Sequence, residues 1–108
     1  MEQRASEFLE AEGFRILARN WRCRTGEIDI IAKDGKELVF VEVKYRKNRE
    51  AGFPEESVTI AKQRTICRCA LCFLLKGHYS METPCRFDVI AIDRESIRHH
   101  RNAFPFVM

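Results

Sequence analysis

The chain lacks any long hydrophobic run. No apolar stretch among its 108 residues approaches the ~20 residues that a membrane-spanning helix needs, so we expect no membrane association. The first ten residues, MEQRASEFLE, contain no continuous apolar segment of the kind found in signal peptides, which favours a cytoplasmic location. Internal repeats, low-complexity segments and linkers are also lacking. The length then predicts one domain over residues 1–108.

The sequence also lacks the even number of cysteines that a disulfide framework needs. It has five, namely Cys23, Cys67, Cys69, Cys72 and Cys85, and without an export signal such a framework is not expected. The C-x-C-x-x-C spacing of the middle three is not one of the common zinc-binding spacings. Because they occur in an apolar helical run, we interpret them as small buried hydrophobic residues rather than metal ligands.

A strong excess of one charge is likewise missing. The chain has 19 Lys and Arg against 16 Asp and Glu, a net charge of +3, which by itself only weakly suggests an anionic partner. Its hydrophobic fraction of 45% is typical of a globular protein and argues against disorder. The positions of the charges are therefore more informative than their sum.

Hydrophobic periodicity and turn residues predict the order helix, three strands, helix, strand. The predicted elements are a helix over 2–12, strands over 14–22, 26–33 and 36–45, a helix from Pro54 to about Lys76, and a strand over 86–93. The first three strands resemble an antiparallel meander, and the helix between the third and fourth favours a parallel pair. The expected fold class is therefore α/β, a mixed sheet flanked by helices.

The second and third strands are joined by a strong hairpin signal, Asp34-Gly35. If these two residues form the turn, Lys33 pairs with Lys36. Counting outward from the turn then pairs Asp29 with Phe40. A slip by one residue would move Asp29 to the other face of the sheet.

Three charged residues stand out in these apolar strands: Asp29, Glu42 and Lys44. The hairpin register makes Asp29 a diagonal neighbour of Glu42, and Lys44 shares the Glu42 face because strand side chains alternate. Carboxylate oxygens are the ligands that Mg²⁺ or Mn²⁺ prefers, and a nearby ammonium can stabilise charge on a phosphate. These groups fit metal-assisted phosphodiester hydrolysis. An ordinary solvated sheet face is the alternative interpretation.

Asp29 followed by Glu42-Val43-Lys44 looks like the PD-(D/E)XK nuclease signature. More of the chain resembles the YraN-like family of bacterial proteins, which are similar to archaeal Holliday-junction resolvases. The matching segments are FLEAEGFRILARNWRCRTGEIDIIAKDG, LVFVEVKYR, PEESVTIAK and RFDVIAI. The resemblance implies a restriction-endonuclease-like fold, with Asp29 and Glu42 as metal ligands for Mg²⁺ or Mn²⁺ and Lys44 as the catalytic lysine.

The same resemblance implies an acidic residue on the first helix. The matching position is Glu2, although Met1 replaces the glycine that usually precedes it. Glu7 is the alternative acid on this helix. The proline of the signature is replaced by Ile28, which is usual in the family that the chain resembles.

Basic residues close to the acidic strands are candidates for binding nucleic-acid phosphates. These are Arg22, Arg24, Arg46 and Lys47; a solvated basic rim is the alternative. Lys62, on the predicted second helix, could extend this patch. The resulting hypothesis is a metal-dependent nuclease acting on DNA, including branched or structured DNA. Two alternatives are a non-catalytic nucleic-acid-binding protein and an adaptor that acts through its apolar second helix.

The run ICRCALCFLLK of the second helix is apolar on more sides than one sheet can cover. An exposed apolar stripe of this kind often marks an interface, which predicts a homodimer. The alternative is that Phe104, Phe106 and Val107 fold back over the stripe within one chain.

Overall fold

The computed structural model describes residues 2–45 and 58–107, with only the backbone of Glu2. In this part of the chain there are two helices and five strands. In chain order they are α1 (Glu2–Ala11), β1 (Arg15–Cys23), β2 (Gly26–Asp34), β3 (Glu37–Tyr45), α2 (Ile60–Lys76), β4 (Cys85–Ile92) and β5 (Ile97–Phe104).

The strands form one mixed sheet in the order β1-β2-β3-β4-β5. β3 and β4 are parallel, whereas the other neighbouring pairs are antiparallel. The α/β class, the first six elements and the parallel pair are confirmed, and the arrangement is consistent with a restriction-endonuclease-like fold. β5 was not predicted because its sequence, IRHHRNAF, is polar and does not alternate, as an edge strand allows.

Each face of the sheet packs against one helix. On the α2 face, Phe40 and Phe87 contact buried residues of α2 such as Ile66. On the α1 face, Val41 and Ile90 pack with Leu9. The valines of β3 thus lie opposite Phe40 and Glu42, as strand alternation predicts. β3 is buried on both faces, which explains why its sequence is nearly continuously apolar.

The β2–β3 hairpin turns one residue later than its sequence suggests. Asp34 pairs with Glu37, so Gly35 and Lys36 form the turn, and Gly35 has a φ of +61°. A glycine with positive φ at the first turn position suits a two-residue hairpin. The predicted pairing of Asp29 with Phe40 is therefore wrong, since Ile31 pairs with Phe40. The shift of two residues keeps the predicted faces over the paired residues, 30–34 of β2 and 37–41 of β3.

α2 begins at Ile60, with Thr59 as its N-cap and the Thr59 hydroxyl accepting a hydrogen bond from Lys62 N at 3.1 Å. The predicted start at Pro54 is thus too early, and residues 54–57 lie outside the described residues. The N-cap hydroxyl supplies a partner for one of the backbone donors that every helix N-terminus leaves unpaired.

The C-terminal residues cover much of α2. Phe104 is buried and stacks on Phe87 with ring centroids 5.2 Å apart. Val107 packs on the same cluster and donates a backbone hydrogen bond to Cys67 Sγ at 3.3 Å. Phe104 and Val107 thus fold back as in the alternative, whereas Phe106 and Leu75 remain exposed, and nothing in the described residues supports the homodimer.

No helix in the described ranges is both long and apolar enough to cross a membrane.

Candidate functional site

The predicted acidic residues lie at one end of the sheet. β2 begins there, whereas β3 ends there because the two strands are antiparallel. α2 starts at the same end, since Lys62 in its first turn contacts Glu42. The site is therefore built from the start of one strand, the end of its neighbour and the N-terminus of a helix.

Asp29 is held at the point where β2 leaves its regular pairing with β3. That pairing extends as far as Ile30 and Val41. Beyond it, Val43 N donates a hydrogen bond to Asp29 Oδ2 at 2.8 Å. Val43 N is bonded to the carbonyl carbon of Glu42, so standard bond lengths place Asp29 Oδ2 at most about 5.7 Å from Glu42 Cα. The Asp29 carboxylate thus lies beside the backbone of Glu42.

Glu42 is buried, with 5% of its surface exposed. Two ammonium groups approach the same carboxylate oxygen, Lys44 Nζ at 3.3 Å from Oε2 and Lys62 Nζ at 3.6 Å. A buried carboxylate needs such compensation because it has lost its water. Lys44 comes from the same strand, whereas Lys62 comes from α2. The spacing Glu-x-Lys predicts the contact of Lys44 with Glu42. The contact of Lys62 with Glu42 depends on how α2 packs on the sheet.

The donor set suits a hard divalent cation. In the described ranges no group of three or more His, Cys, Asp or Glu side chains could hold a metal ion. Mg²⁺ does not need one, because it is commonly bound by one or two carboxylates together with water and substrate phosphate oxygens. Asp29 and Glu42 would be those carboxylates. Asp29 Oδ2 is already oriented by the backbone of β3, which reduces the ordering needed to bind an ion.

The basic residues predicted to bind phosphate have different surroundings where the structure describes them. Arg22 and Arg24 are exposed beside the start of β2, and Arg22 Nε forms an ion pair with Glu27 at 2.8 Å. Arg46 and Lys47 lie outside the described residues. Lys62, predicted to bind phosphate, instead contacts Glu42 in this structure.

The helix-1 acids are not joined to this cluster by any described contact. Glu2 belongs to α1, but its side chain lies outside the described residues. Glu7 is exposed and accepts a hydrogen bond from Gln3 Nε2 at 3.1 Å. α1 packs on the face of the sheet opposite to that of Glu42. Among the described side chains, the site therefore consists of Asp29, Glu42 and two lysines.

A cavity of about 530 Å³ lies at the same end of the sheet. Its lining includes Tyr45, directly after Lys44 in β3, and the basic residues Arg4 and Arg94. Tyr45 is 40% exposed, and Arg4 Nη1 donates a hydrogen bond to Asp93 O at 3.1 Å. No local sequence pattern predicts this cavity, because residues from α1, β3 and the end of β4 form it together.

A second polar cluster, also missed, surrounds the fully buried Asp88 of β4. Asp88 accepts hydrogen bonds from Arg86 Nε at 3.0 Å and Asn102 N at 2.9 Å, and lies 2.7 Å from His99 Nε2. Burial alone raises the pKa of Asp88, but the hydrogen bonds with His99, Arg86 and Asn102 outweigh it and hold the pKa below its ordinary value. Arg86 Nη1 also binds Asp34 at 2.8 Å and Glu37 at 2.9 Å. This cluster fastens the hairpin turn to β4.

Among solved structures, the chain is similar to SfsA of Pyrococcus furiosus, determined in complex with Ca²⁺. The match has a TM-score of 0.39 and 15% identity, and covers 91% of this chain and 58% of the SfsA chain. A likeness of this size is too distant to support a functional statement.

Close relatives occur among bacterial proteins. The UPF0102 protein of Lachnoclostridium phytofermentans is 54% identical over 103 residues, covering 95% of this chain and 87% of the relative. The one from Symbiobacterium thermophilum is 55% identical over 92 residues, covering 85% and 77%. The one from Geobacter sulfurreducens is 47% identical over 108 residues, covering 95% and 84%. The model of the uncharacterised protein family UPF0102 matches residues 1–92, and the chain therefore belongs to this family.

Proposed function

We propose that this protein is a divalent-metal-dependent nuclease that hydrolyses phosphodiester bonds in DNA, with branched or otherwise structured DNA as its substrate class. The observation that supports this most strongly is the position of Asp29. Its carboxylate accepts a hydrogen bond from Val43 N and so lies beside the backbone of the buried Glu42. Two acidic residues on neighbouring strands at the end of a sheet, one of them buried, are costly for stability alone and useful for holding a cation.

Each side chain has a distinct role in the proposed reaction. Asp29 and Glu42 would hold Mg²⁺ or Mn²⁺, which when bound lowers the pKa of a coordinated water and polarises a phosphate oxygen. Lys44, 29% exposed at its side chain and already within 3.3 Å of Glu42, is placed to stabilise negative charge on the phosphate. Lys62 adds a second positive charge from the first turn of α2.

The surroundings support a nucleic-acid substrate. Arg22 and Arg24 project beside the start of β2 and can contact backbone phosphates. At the same end of the sheet, but on the α1 face opposite to that of Glu42, the cavity combines Tyr45 with Arg4 and Arg94. A partly exposed aromatic ring beside cations suits an unpaired base and its phosphates. Branched DNA exposes such bases at the branch point.

A second candidate is a non-catalytic nucleic-acid-binding protein. It is favoured by the two ion pairs on Glu42, because Lys44 and Lys62 already compensate its charge. In that case the acid and the lysines form a structural cluster, and only the basic surface contacts the nucleic acid. The two candidates differ in one respect that can be measured: only the nuclease requires a divalent cation at Asp29.

A cleavage assay separates them. Labelled single-stranded, duplex, flap and four-way-junction DNA would be incubated with the protein in Mg²⁺, Mn²⁺ or EDTA. We expect cleavage of at least one branched substrate in the presence of metal and none in EDTA. Asp29→Asn should abolish cleavage while leaving DNA binding largely intact.

Glu27→Gln is the matched control for this assay. Glu27 is an acid on the same strand, two residues from Asp29, but it pairs with the exposed Arg22. Its replacement should leave cleavage unchanged. Binding without cleavage of any substrate would favour the non-catalytic candidate, and neither binding nor cleavage would contradict both.

A further inference from the structure

A pair of cysteine thiols links the end of β1 to α2, away from the acidic cluster. Cys23 is the last residue of β1, and Cys69 lies in the middle of α2. Their sulfur atoms are 2.9 Å apart although the residues are 46 positions apart in the chain. Thr25 Oγ1 lies 3.3 Å from Cys23 Sγ and 3.8 Å from Cys69 Sγ. Two thiols and a hydroxyl therefore meet where the β1–β2 turn contacts the helix.

The backbone confirms how closely the turn approaches α2 at this point. A Cβ atom on Gly26 would lie 2.5 Å from Thr65 Cγ2 and 3.5 Å from Cys69 Sγ. Any larger residue here would require the Thr65 side chain, the turn or the helix to shift. The β1–β2 turn therefore packs closely against α2 beside the two sulfurs.

We propose that Cys23 and Cys69 form a reversible disulfide, a modification site that fastens the β1–β2 turn to α2 under oxidising conditions. A disulfide has an S–S length of about 2.05 Å, so the two sulfurs need to approach by about 0.9 Å from their present separation. This proposal is independent of the nuclease activity proposed above.

The two thiols are chemically unequal, which suits such a step. Partial burial raises the pKa of Cys23, but its hydrogen bonds with Cys69 and Thr25 outweigh this and lower the pKa to about 7. Burial and the hydrogen bond with Cys23 together raise the pKa of Cys69 to about 11. Since the thiolate is the nucleophile, Cys23 is the thiol that reacts first.

The reaction balances with a peroxide as oxidant. The Cys23 thiolate attacks one peroxide oxygen, forming an S–O bond and breaking the O–O bond, and hydroxide leaves. Cys69 sulfur then attacks the oxidised Cys23 sulfur and forms the S–S bond. The oxygen carried by Cys23 leaves as water after taking up the Cys69 proton. Two thiols lose two electrons in total, and the peroxide is reduced to two waters. A small dithiol reverses the step by thiol–disulfide exchange.

Peptide mapping tests the proposal directly. The protein would be treated with hydrogen peroxide, its remaining thiols blocked with N-ethylmaleimide, and the product digested with trypsin without reduction. Trypsin releases Cys23 in the dipeptide Cys23–Arg24 and Cys69 in the peptide Cys69–Lys76. We expect these two peptides joined, with Cys72 carrying the blocking group. The count of free thiols should fall from five to three and return to five after dithiothreitol.

Three variants make the result decisive. Cys23→Ser should retain its four thiols under the same treatment, and Cys69→Ala, if it folds, should give no linked peptide. Cys85→Ser should still form the linked peptide, because Cys85 is outside the pair and its Sγ donates to Thr83 O at 3.3 Å. An unchanged count of five free thiols would overturn the proposal. So would a disulfide between Cys69 and Cys72 within one peptide, or linked peptides found only in covalent dimers.

Discussion

At the residue scale, the molecule is organised around a few charged side chains in apolar strands. Glu42 lies on the face of Phe40 and is buried there. Alternation in β3 is enough to predict that Glu42 and Lys44 share this face. The contact of Lys62 with Glu42 was not predicted, because it joins residues from different elements and depends on where α2 begins.

Replacing Lys44 separates metal binding from catalysis. We expect Lys44→Ala to reduce cleavage about 100-fold or more, the usual cost of removing one group that stabilises transition-state charge, while divalent-metal binding is retained. Lys62→Ala should reduce cleavage about tenfold or less, because its contact with Glu42 is longer and its side chain more exposed. Single-turnover cleavage rates at saturating metal measure both effects. A larger loss in Lys62→Ala would assign the catalytic lysine to α2 instead.

At the element scale, the positions of strands and helices are set by contacts that a local pattern only partly reveals. The face of each strand could be predicted from alternation, but the hairpin register could not. From the sequence, Asp34-Gly35 resembles a complete two-residue turn. In the structure, Arg86 of β4 binds both Asp34, 52 positions earlier in the chain, and Glu37, 49 positions earlier. This distant arginine favours pairing Asp34 with Glu37, which moves the turn to Gly35 and Lys36.

The contact between the β1–β2 turn and α2 predicts the effect of a single methyl group. Gly26→Ala should lower the free energy of unfolding by about 1–3 kcal/mol, because the new Cβ would lie 2.5 Å from Thr65 Cγ2. Thr65→Ser removes that methyl and keeps the hydroxyl that donates to Ala61 O at 3.1 Å. In a double-mutant cycle by urea unfolding, Thr65→Ser should restore much of the stability lost in Gly26→Ala. Strictly additive effects would mean that the turn does not pack on Thr65.

At the scale of the whole molecule, two hydrophobic clusters and one buried polar cluster hold the sheet together. The hydrophobic clusters follow from strand and helix periodicity and were largely predictable. The polar cluster around Asp88 was not, since it unites residues of β2, β3, β4 and β5. At the irregularity between Phe87 and Val89, Asn102 N bonds to the Asp88 carboxylate. β5 thus joins the sheet through a side chain as well as through its backbone.

The Asp88 cluster predicts a pH dependence of stability. The pKa of Asp88 is lower in the folded protein than in the unfolded chain. The Asp88 carboxylate therefore stabilises the fold at pH values above the ordinary aspartate pKa of ~3.9. That contribution decreases as pH falls through this value toward the lowered folded pKa. Asp88→Asn should cost about 2–4 kcal/mol near neutral pH, where Arg86 would lose its buried partner. Urea unfolding from pH 7 to pH 3 should show the two proteins converging below about pH 4.

Glu27→Gln is the control for this comparison, because its ion pair with Arg22 is exposed. Its effect should stay below about 1 kcal/mol at every pH. A stability difference for Asp88→Asn that stayed constant down to pH 3 would mean that loss of packing, rather than of charge, explains its effect.

The most direct test of the proposed site is a calorimetric titration of the metal-free protein with Mn²⁺. If Asp29 and Glu42 hold the ion together, the protein should bind one Mn²⁺, with binding lost in Asp29→Asn and retained in Glu27→Gln. The three proteins should have the same fold by circular dichroism. Equal binding by all three proteins, or no binding by the unmodified one, would contradict a metal site at Asp29 and Glu42.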